Sequence, residues 1–429
     1  MNKKHAIKSI SLLWIGSLLG AGCAFLTQVI LARKLGPSDF GTFSAALATT
    51  NLLGPLAGFG IAAYWLKVFG EEGWRATRWL EGSFKFVILS TLIVLFLLVS
   101  WAILGPNDTL TTALLLILTT YILGQVAVEL VSSKLQLEEH YMSLAFWQFL
   151  PHFLRLLLII VLIFTITNSL SPEAVAYAYG GISLLFLLIG SVFLFQMYQG
   201  NFSLAGHKNT KEPIEKNDLN HPGMLYVAAQ SWPFGLAGIF YLIYFQSDII
   251  LLKYLSSAES AGIYNVAFVI MAAVYLFPSA IYQKFMLPKI HRWAHHERER
   301  FYYIYRIGNI WMLGSGLGTM LILWIIVPWA IPFLFGPEYH DAIMLLIILS
   351  SAVPVRFLAT SIGSTLVTQD HMRKKVKYMG IVALLNIMLN IILIPVFGVI
   401  GAAITTIFSD IVLLLLYYAA SKKYVFAND

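Results

Sequence analysis

Arg155, Arg356, Asp248 and Asp410 stand inside long apolar runs, where a charge has to be accounted for. Arg155 lies in Q-F-L-P-H-F-L-R-L-L-L-I-I and Arg356 in A-V-P-V-R-F-L-A-T-S, each about midway along its run. An arginine at the centre of a bilayer costs about 2.5–3.5 kcal/mol even on the lenient insertion scale, so it must face a cavity or a partner. A guanidinium in a cavity offers a fork of donors to an anion, which makes both arginines candidate ligand-binding residues. Asp410, in T-T-I-F-S-D-I-V-L-L-L, can bind a coupling cation or neutralise Arg356, and the sequence favours neither. Asp248, with Lys253 about one turn further on, reads as an ion pair at an outer gate. His152 precedes Arg155 by one turn and adjoins Pro151. It can shuttle protons or simply pack. Asn386 and Asn390 share a helix face at i, i+4, suited either to hydrogen-bonding a polar ligand or to tying helices together.

These side chains need elements to hold them, and composition says which kind. The chain has 429 residues, 59% hydrophobic and 11% charged, with a mean hydropathy of +0.78. So little polar residue cannot cover a soluble globule. Apolar runs of about 20 residues are membrane-spanning candidates. Twelve are expected, with cores at 10–32, 40–66, 84–104, 110–131, 144–166, 174–197, 224–245, 262–282, 307–329, 342–367, 378–395 and 400–418. The fold class is therefore an all-α polytopic membrane protein. The basic start M-N-K-K-H-A-I-K leads into a run too long for a cleaved leader, so a retained first span is expected.

Charge placement sets the topology. With the N-terminus in the cytoplasm and alternating spans, nearly all of the 28 Lys and Arg fall on inside segments. Only Arg33, Lys34 and Lys253 fall outside, and Arg155 and Arg356 lie within spans. This asymmetry puts both termini inside with an even number of spans. Arg33, Lys34 and Lys253, placed against the bias, are candidates for lining an outer vestibule, or else for a plain surface turn. Trp74, Trp79, Trp147, Trp293 and Trp329 fall near expected interfaces, where amphipathic rings belong. Pro151 and Pro354 fall inside spans, as hinges or as packing kinks. The longest polar connection, 199–223, reads as a cytoplasmic linker between an N-terminal six-helix bundle at 1–198 and a C-terminal one at 224–429.

The halves also repeat one another. Residues 30–46 and 250–267 align so that Arg33 matches Lys253, Leu35 matches Leu255, Gly41 matches Gly262 and Phe43 matches Tyr264. With six spans each, the copies are parallel repeats about an axis along the membrane normal, a common transporter plan. Several signals point away from other chemistry. One cysteine, Cys23, allows no disulfide or cysteine metal cluster. There is no Walker sequence, and no second histidine completes a zinc helix at His296-Glu297. Gly314-x-Gly316-x-Gly318 follows no strand and reads as small-residue packing. No cofactor is expected, and no soluble basic domain exists to bind nucleic acid.

The stretch L-A-R-K-L-G-P-S-D-F-G-T-F-S at 31–44 resembles the first break of the Wzx-type polysaccharide and O-antigen flippases. These belong to the multidrug/oligosaccharidyl-lipid/polysaccharide exporter superfamily. Three further blocks fit in order: Asp248 with Gly262-Ile263-Tyr264, L-F-G-P-E-Y at 334–339, and N-I-M-L-N-I-I-L-I-P-V-F-G-V-I-G-A-A at 386–403. The resemblance implies an inner-membrane flippase that turns over an undecaprenyl-diphosphate-linked oligosaccharide by alternating access, for surface polysaccharide such as capsule or lipopolysaccharide. A polysaccharide polymerase and a chain-length regulator would be its partners beside membrane lipids. Each unpaired hydroxyl costs about 2 kcal/mol or more to desolvate, so such a cargo needs a wet cavity lined by cations for its diphosphate. Arg155, Arg356, Arg33, Lys34, Lys253, Asn386 and Asn390 are then candidate substrate contacts, Asp410 and His152 candidate ion-coupling groups, and Asp248 a gate. Three other functions stay open: a drug or metabolite cation antiporter of the same superfamily, a peptidoglycan-precursor flippase, and a membrane polymerase or ligase. The antiporter needs acidic cavity residues, and the polymerase or ligase needs a large outer loop.

Overall fold

The computed structural model describes residues 3–165, 170–205, 221–279, 297–367 and 371–426, with a few isolated positions between 281 and 293. Every regular element among them is helical. The helices are α1 (Lys3–Gly58), α2 (Ile61–Glu72), α3 (Leu80–Leu104), α4 (Thr109–Ile117), α5 (Thr119–Leu137), α6 (Tyr141–Thr165), α7 (Pro172–Tyr198), α8 (Met224–Leu255), α9 (Ala258–Ser279), α10 (Arg298–Leu334), α11 (Asp341–Ser350), α12 (Val353–Thr365) and α13 (Met372–Ala420). Their ends follow local chemistry. Asp108 caps α4 by accepting from the Thr111 N–H at 2.6 Å, and Ser171 caps α7, with Pro172 in its first turn, by accepting from Ala174.

Seven helical stretches among the described residues are long and apolar enough to cross a membrane, or nine if two bent pairs each count as one. The expected twelve cores overlap these stretches and the two bent pairs, the longest stretches containing breaks, while residues 166 and 280 of the fifth and eighth cores lie outside the described residues. In α1 the helix is interrupted at Gly36 (φ 74°, ψ 169°), and in α13 at Gly398 (φ 54°, ψ −132°). Both are left-handed positions that a side chain disfavours, and they turn two apparently continuous helices into pairs of spans. α11 and α12 meet at a 41° bend just before Pro354. Large apolar side chains point outward along these stretches, among them Leu104, Phe164 and Phe333. Lipid is the solvent that tolerates such a surface, and the chain is a multi-pass membrane protein.

The chain divides into two compact units. The first comprises Met1–Thr27 and Ala46–Ile239, the second Gln28–Ala45 and Phe240–Asp429. In the first, α5 and α7 pack most intimately. A Cβ on Gly124 would strike Ser183, so the two backbones approach closely. Val131, Leu135, Leu144, Trp147, Ile182 and Phe186 form the core beside this contact. Trp147 and Trp79 are buried in protein rather than set at a lipid boundary, whereas Trp329 is exposed. The Trp147 indole packs on Phe186 with ring centroids 4.9 Å apart and donates to the Val128 carbonyl at 3.2 Å. Trp79 lies against Tyr226 and donates to Glu72.

The second unit is organised around Gln28–Ala45, the two half-helices flanking Gly36. Tyr339, from L-F-G-P-E-Y, donates to the Ala32 carbonyl at 3.0 Å and meets Phe40 edge-on. Asn265 donates to Ser44 at 2.8 Å. Gly41 and Gly262, aligned with each other as repeat positions, touch directly. A Cβ on Gly41 would lie 2.7 Å from the Gly262 nitrogen and collide with the Ala258 carbonyl. Small residues permit such backbone contact between spans. The Gly316 backbone likewise rests on Pro354, as the small-residue reading of that stretch expects.

Candidate functional site

Polar stripes inside apolar helices build one site in each unit. In the first unit, α6 carries Gln148, His152 and Arg155 at i, i+4 and i+7, and α5 carries Gln125, Glu129 and Ser132 at the same spacing. The two stripes face a cavity of about 600 Å³, which Ser17 of α1 and Ser183 of α7 also line. Arg155 is only 9% exposed. Its guanidinium lies over the rings of Tyr121 at 4.8 Å and Tyr179 at 5.1 Å, a double cation–π arrangement. One terminal nitrogen donates to the Ser183 hydroxyl at 3.4 Å, while Nε is buried with no acceptor. No carboxylate among the described residues lies within ion-pair distance of it. Asn51 fixes the wall, its Oδ1 accepting from the Tyr121 hydroxyl at 3.2 Å and from Gln125 Nε2 at 3.0 Å.

In the second unit the charges are matched. Arg356 pairs with Asp410 at 2.9 Å, and Tyr244 donates to the same carboxylate oxygen at 2.7 Å. The Arg356 guanidinium lies 4.8 Å from the centre of the Tyr244 ring. Of the two expectations for Asp410, this is the neutralising one. Asp248 is 3% exposed and ringed by donors. Tyr264 and Thr406 donate to Oδ2 at 2.5 and 2.6 Å, and Asn390 donates to Oδ1 at 2.6 Å. Asn386 accepts from Ser247 and from Asn390, both at 3.1 Å. A small cavity of about 30 Å³ touches Asp248, Asp410, Tyr244, Tyr264, Tyr275 and Thr406. It has room for a water or a small ion.

The structure therefore brings Arg155 and His152 together at one cavity and Asp248 and Asp410 together at another, with Arg356 bonded to Asp410, Asn390 to Asp248, and Asn386 to Asn390. Arg33 and Lys34 are exposed beside the Gly36 break, and Lys253 lies near the Tyr254 ring. Tyr121, Tyr179, Gln125 and Gln148 in the first site, and Tyr244, Tyr264 and Thr406 in the second, escaped the reading of charges alone. A signal for them existed, because polar residues recur four apart in otherwise apolar runs: Tyr121 with Gln125, Tyr179 with Ser183, Tyr244 with Asp248, and Thr406 with Asp410.

Comparison with known proteins places this geometry. The chain is 22% identical over 418 residues to the capsular polysaccharide biosynthesis protein CapF of Staphylococcus aureus, covering 97% of this chain and 99% of that protein. It is 23% identical over 410 residues to the probable low-salt glycan biosynthesis flippase Agl15 of Haloferax volcanii, covering 92% and 79% respectively. Among solved structures it has the fold of a lipid II flippase MurJ in an inward closed conformation, with a TM-score of 0.67 at 17% identity, covering 96% of this chain and 87% of that one. The family model described as polysaccharide biosynthesis protein matches residues 6–294, more than half of the sequence, and the chain belongs to that family.

Proposed function

We propose that this protein is a flippase for an undecaprenyl-diphosphate-linked oligosaccharide, moving the repeat unit from the inner to the outer leaflet of a bacterial inner membrane by alternating access. Both termini would lie in the cytoplasm, and the connection 199–223 would join two six-helix halves on that side. The protein would bind and release its cargo without making or breaking covalent bonds. The single observation that carries this reading is the cavity around Arg155, a chamber of about 600 Å³ in which a buried cation, amides and hydroxyls interrupt a largely apolar wall. Binding sites for small molecules typically measure about 300–1,000 Å³, which suits sugars and excludes a long polyprenyl tail that can stay in the bilayer. Membership of a polysaccharide biosynthesis family supports the same cargo class.

The coupling group in this reading is Asp248. Asp410 is already taken by Arg356 and Tyr244, whereas Asp248 borders the small cavity through neutral donors alone. A proton or a monovalent cation entering there would balance its charge. A potential of 100 mV supplies about 2.3 kcal/mol per charge moved. The repeat unit delivered outside would then pass to a polymerase and a chain-length regulator.

Deletion of the gene followed by analysis of lipid-linked intermediates tests the function. The expected outcome is intermediates held on the inner leaflet with surface polysaccharide lost. Normal export in the deletion strain would sink the proposal. In proteoliposomes, Asp248→Asn is expected to abolish any dependence of turnover on the sodium or proton gradient, and an unchanged gradient dependence would remove Asp248 from the coupling role.

A further inference from the structure

We propose that the cavity of the first unit is a sugar-reading pocket in which Arg155 holds the carboxylate of an acidic sugar, while the lipid diphosphate binds elsewhere. This rests on the flippase reading and narrows its cargo. Arg155 is a buried cation with one long hydrogen bond, an unpartnered Nε and no carboxylate partner among the described residues. Two tyrosine rings and one long hydrogen bond compensate this buried charge only in part, and an anion from outside the protein completes the site.

The choice of anion follows from geometry and charge. Tyr121 and Tyr179 cover the guanidinium at 4.8 and 5.1 Å. Ligand access is then confined to the edge of the fork, where a planar carboxylate fits in bidentate fashion. A diphosphate carries more than one negative charge and calls for several cations. Among the described residues, Arg155 is the sole lysine or arginine lining this cavity, and Glu129 lines it too. One cation facing one carboxylate opposes a multivalent anion but accommodates a monoanion whose hydroxyls donate to Glu129. The remaining wall suits a sugar, with amides at Gln125 and Gln148 and hydroxyls at Ser17 and Ser132. The hydrogen bonds from Tyr121 and Gln125 to Asn51 hold that wall in place before any ligand arrives.

The test is titration of the purified full-length protein in nanodiscs with glucuronate, glucose and inorganic diphosphate at matched ionic strength. Wild-type protein is expected to bind glucuronate at least tenfold more tightly than glucose or diphosphate. Arg155→Gln is expected to erase that preference, and Arg155→Lys to recover less than half of it. Glu129→Gln should raise diphosphate affinity relative to glucuronate. Tighter binding of diphosphate than of glucuronate by wild-type protein overturns the proposal, as does equal binding of glucuronate and glucose. Neither comparison needs a variant to fold. Translocation in proteoliposomes separates this from the wider reading. Equal transport of lipids with neutral and acidic head groups overturns the acidic-sugar assignment alone, whereas transport of neither overturns the flippase reading whatever the titration shows.

Discussion

At the scale of single residues, the two intramembrane arginines differ in what surrounds them. Arg356 and Asp410 neutralise each other within an almost closed pocket, their side chains 11% and 1% exposed. Removing one partner of such a pair leaves the other charge stranded, a loss of about 3–5 kcal/mol. Asp410→Asn is therefore expected to lower the melting temperature of the detergent-solubilised protein sharply. The double variant Arg356→Met/Asp410→Leu should melt closer to wild type, because no charge is left behind. If Asp410→Asn melts like wild type, the pair has no structural role. Arg155→Gln should be far milder, since among the described residues no carboxylate pairs with it and none is left orphaned. Sequence alone located both arginines, since an arginine in an apolar run stands out. It could not divide their roles, because whether a carboxylate sits opposite depends on contacts across 54 positions for Arg356 and on tyrosines from other helices for Arg155.

At the scale of elements, the join between Gln28–Ala45 and α9 is a backbone contact with no spare room. A methyl group on Gly41 would overlap the Ala258 carbonyl and sit 2.7 Å from the Gly262 nitrogen. Backbone cannot rotate away as a flexible side chain can, so the helices must separate. Overpacking of this kind typically costs about 1–3 kcal/mol. Gly41→Ala should thus lower thermal stability in detergent, whereas Gly22→Ala, with nothing within 4 Å of the added carbon, should not. Equal melting of the two variants would mean that the contact carries no weight. The repeat alignment had already matched Gly41 with Gly262. That the matched glycines would touch was not legible, because an alignment reports equivalence between copies and carries no distance. The polar stripes behave the same way: their spacing of four shows which residues share a face, and only packing shows which face meets which.

At the scale of the whole molecule, hydropathy foretold an all-helical membrane fold because a span is a local property of about 20 residues, while seven to nine helical stretches among the described residues meet that test. Membership of the two units is not local, and the chain's order does not reveal it. Gln28–Ala45 lies early in the sequence yet belongs with Phe240–Asp429. Its buried Phe40 packs on Tyr339, and its polar ties run to Tyr339 and Asn265. A fragment of residues 224–429 made alone would bare the surfaces of α9 and Tyr339 that this segment covers. The exposed polar groups there would include the Tyr339 hydroxyl, which loses the Ala32 carbonyl it donates to. The fragment is expected to be degraded when expressed alone and to accumulate when residues 1–223 are expressed with it from a second gene. A fragment of 1–223 in which Gly41 is changed to alanine should rescue less well, because it disturbs the docking backbone itself. Immunoblotting of the membrane fraction reads all three arms. Equal abundance of the C-terminal fragment with and without its partner would show that the early segment is dispensable to the unit it packs in.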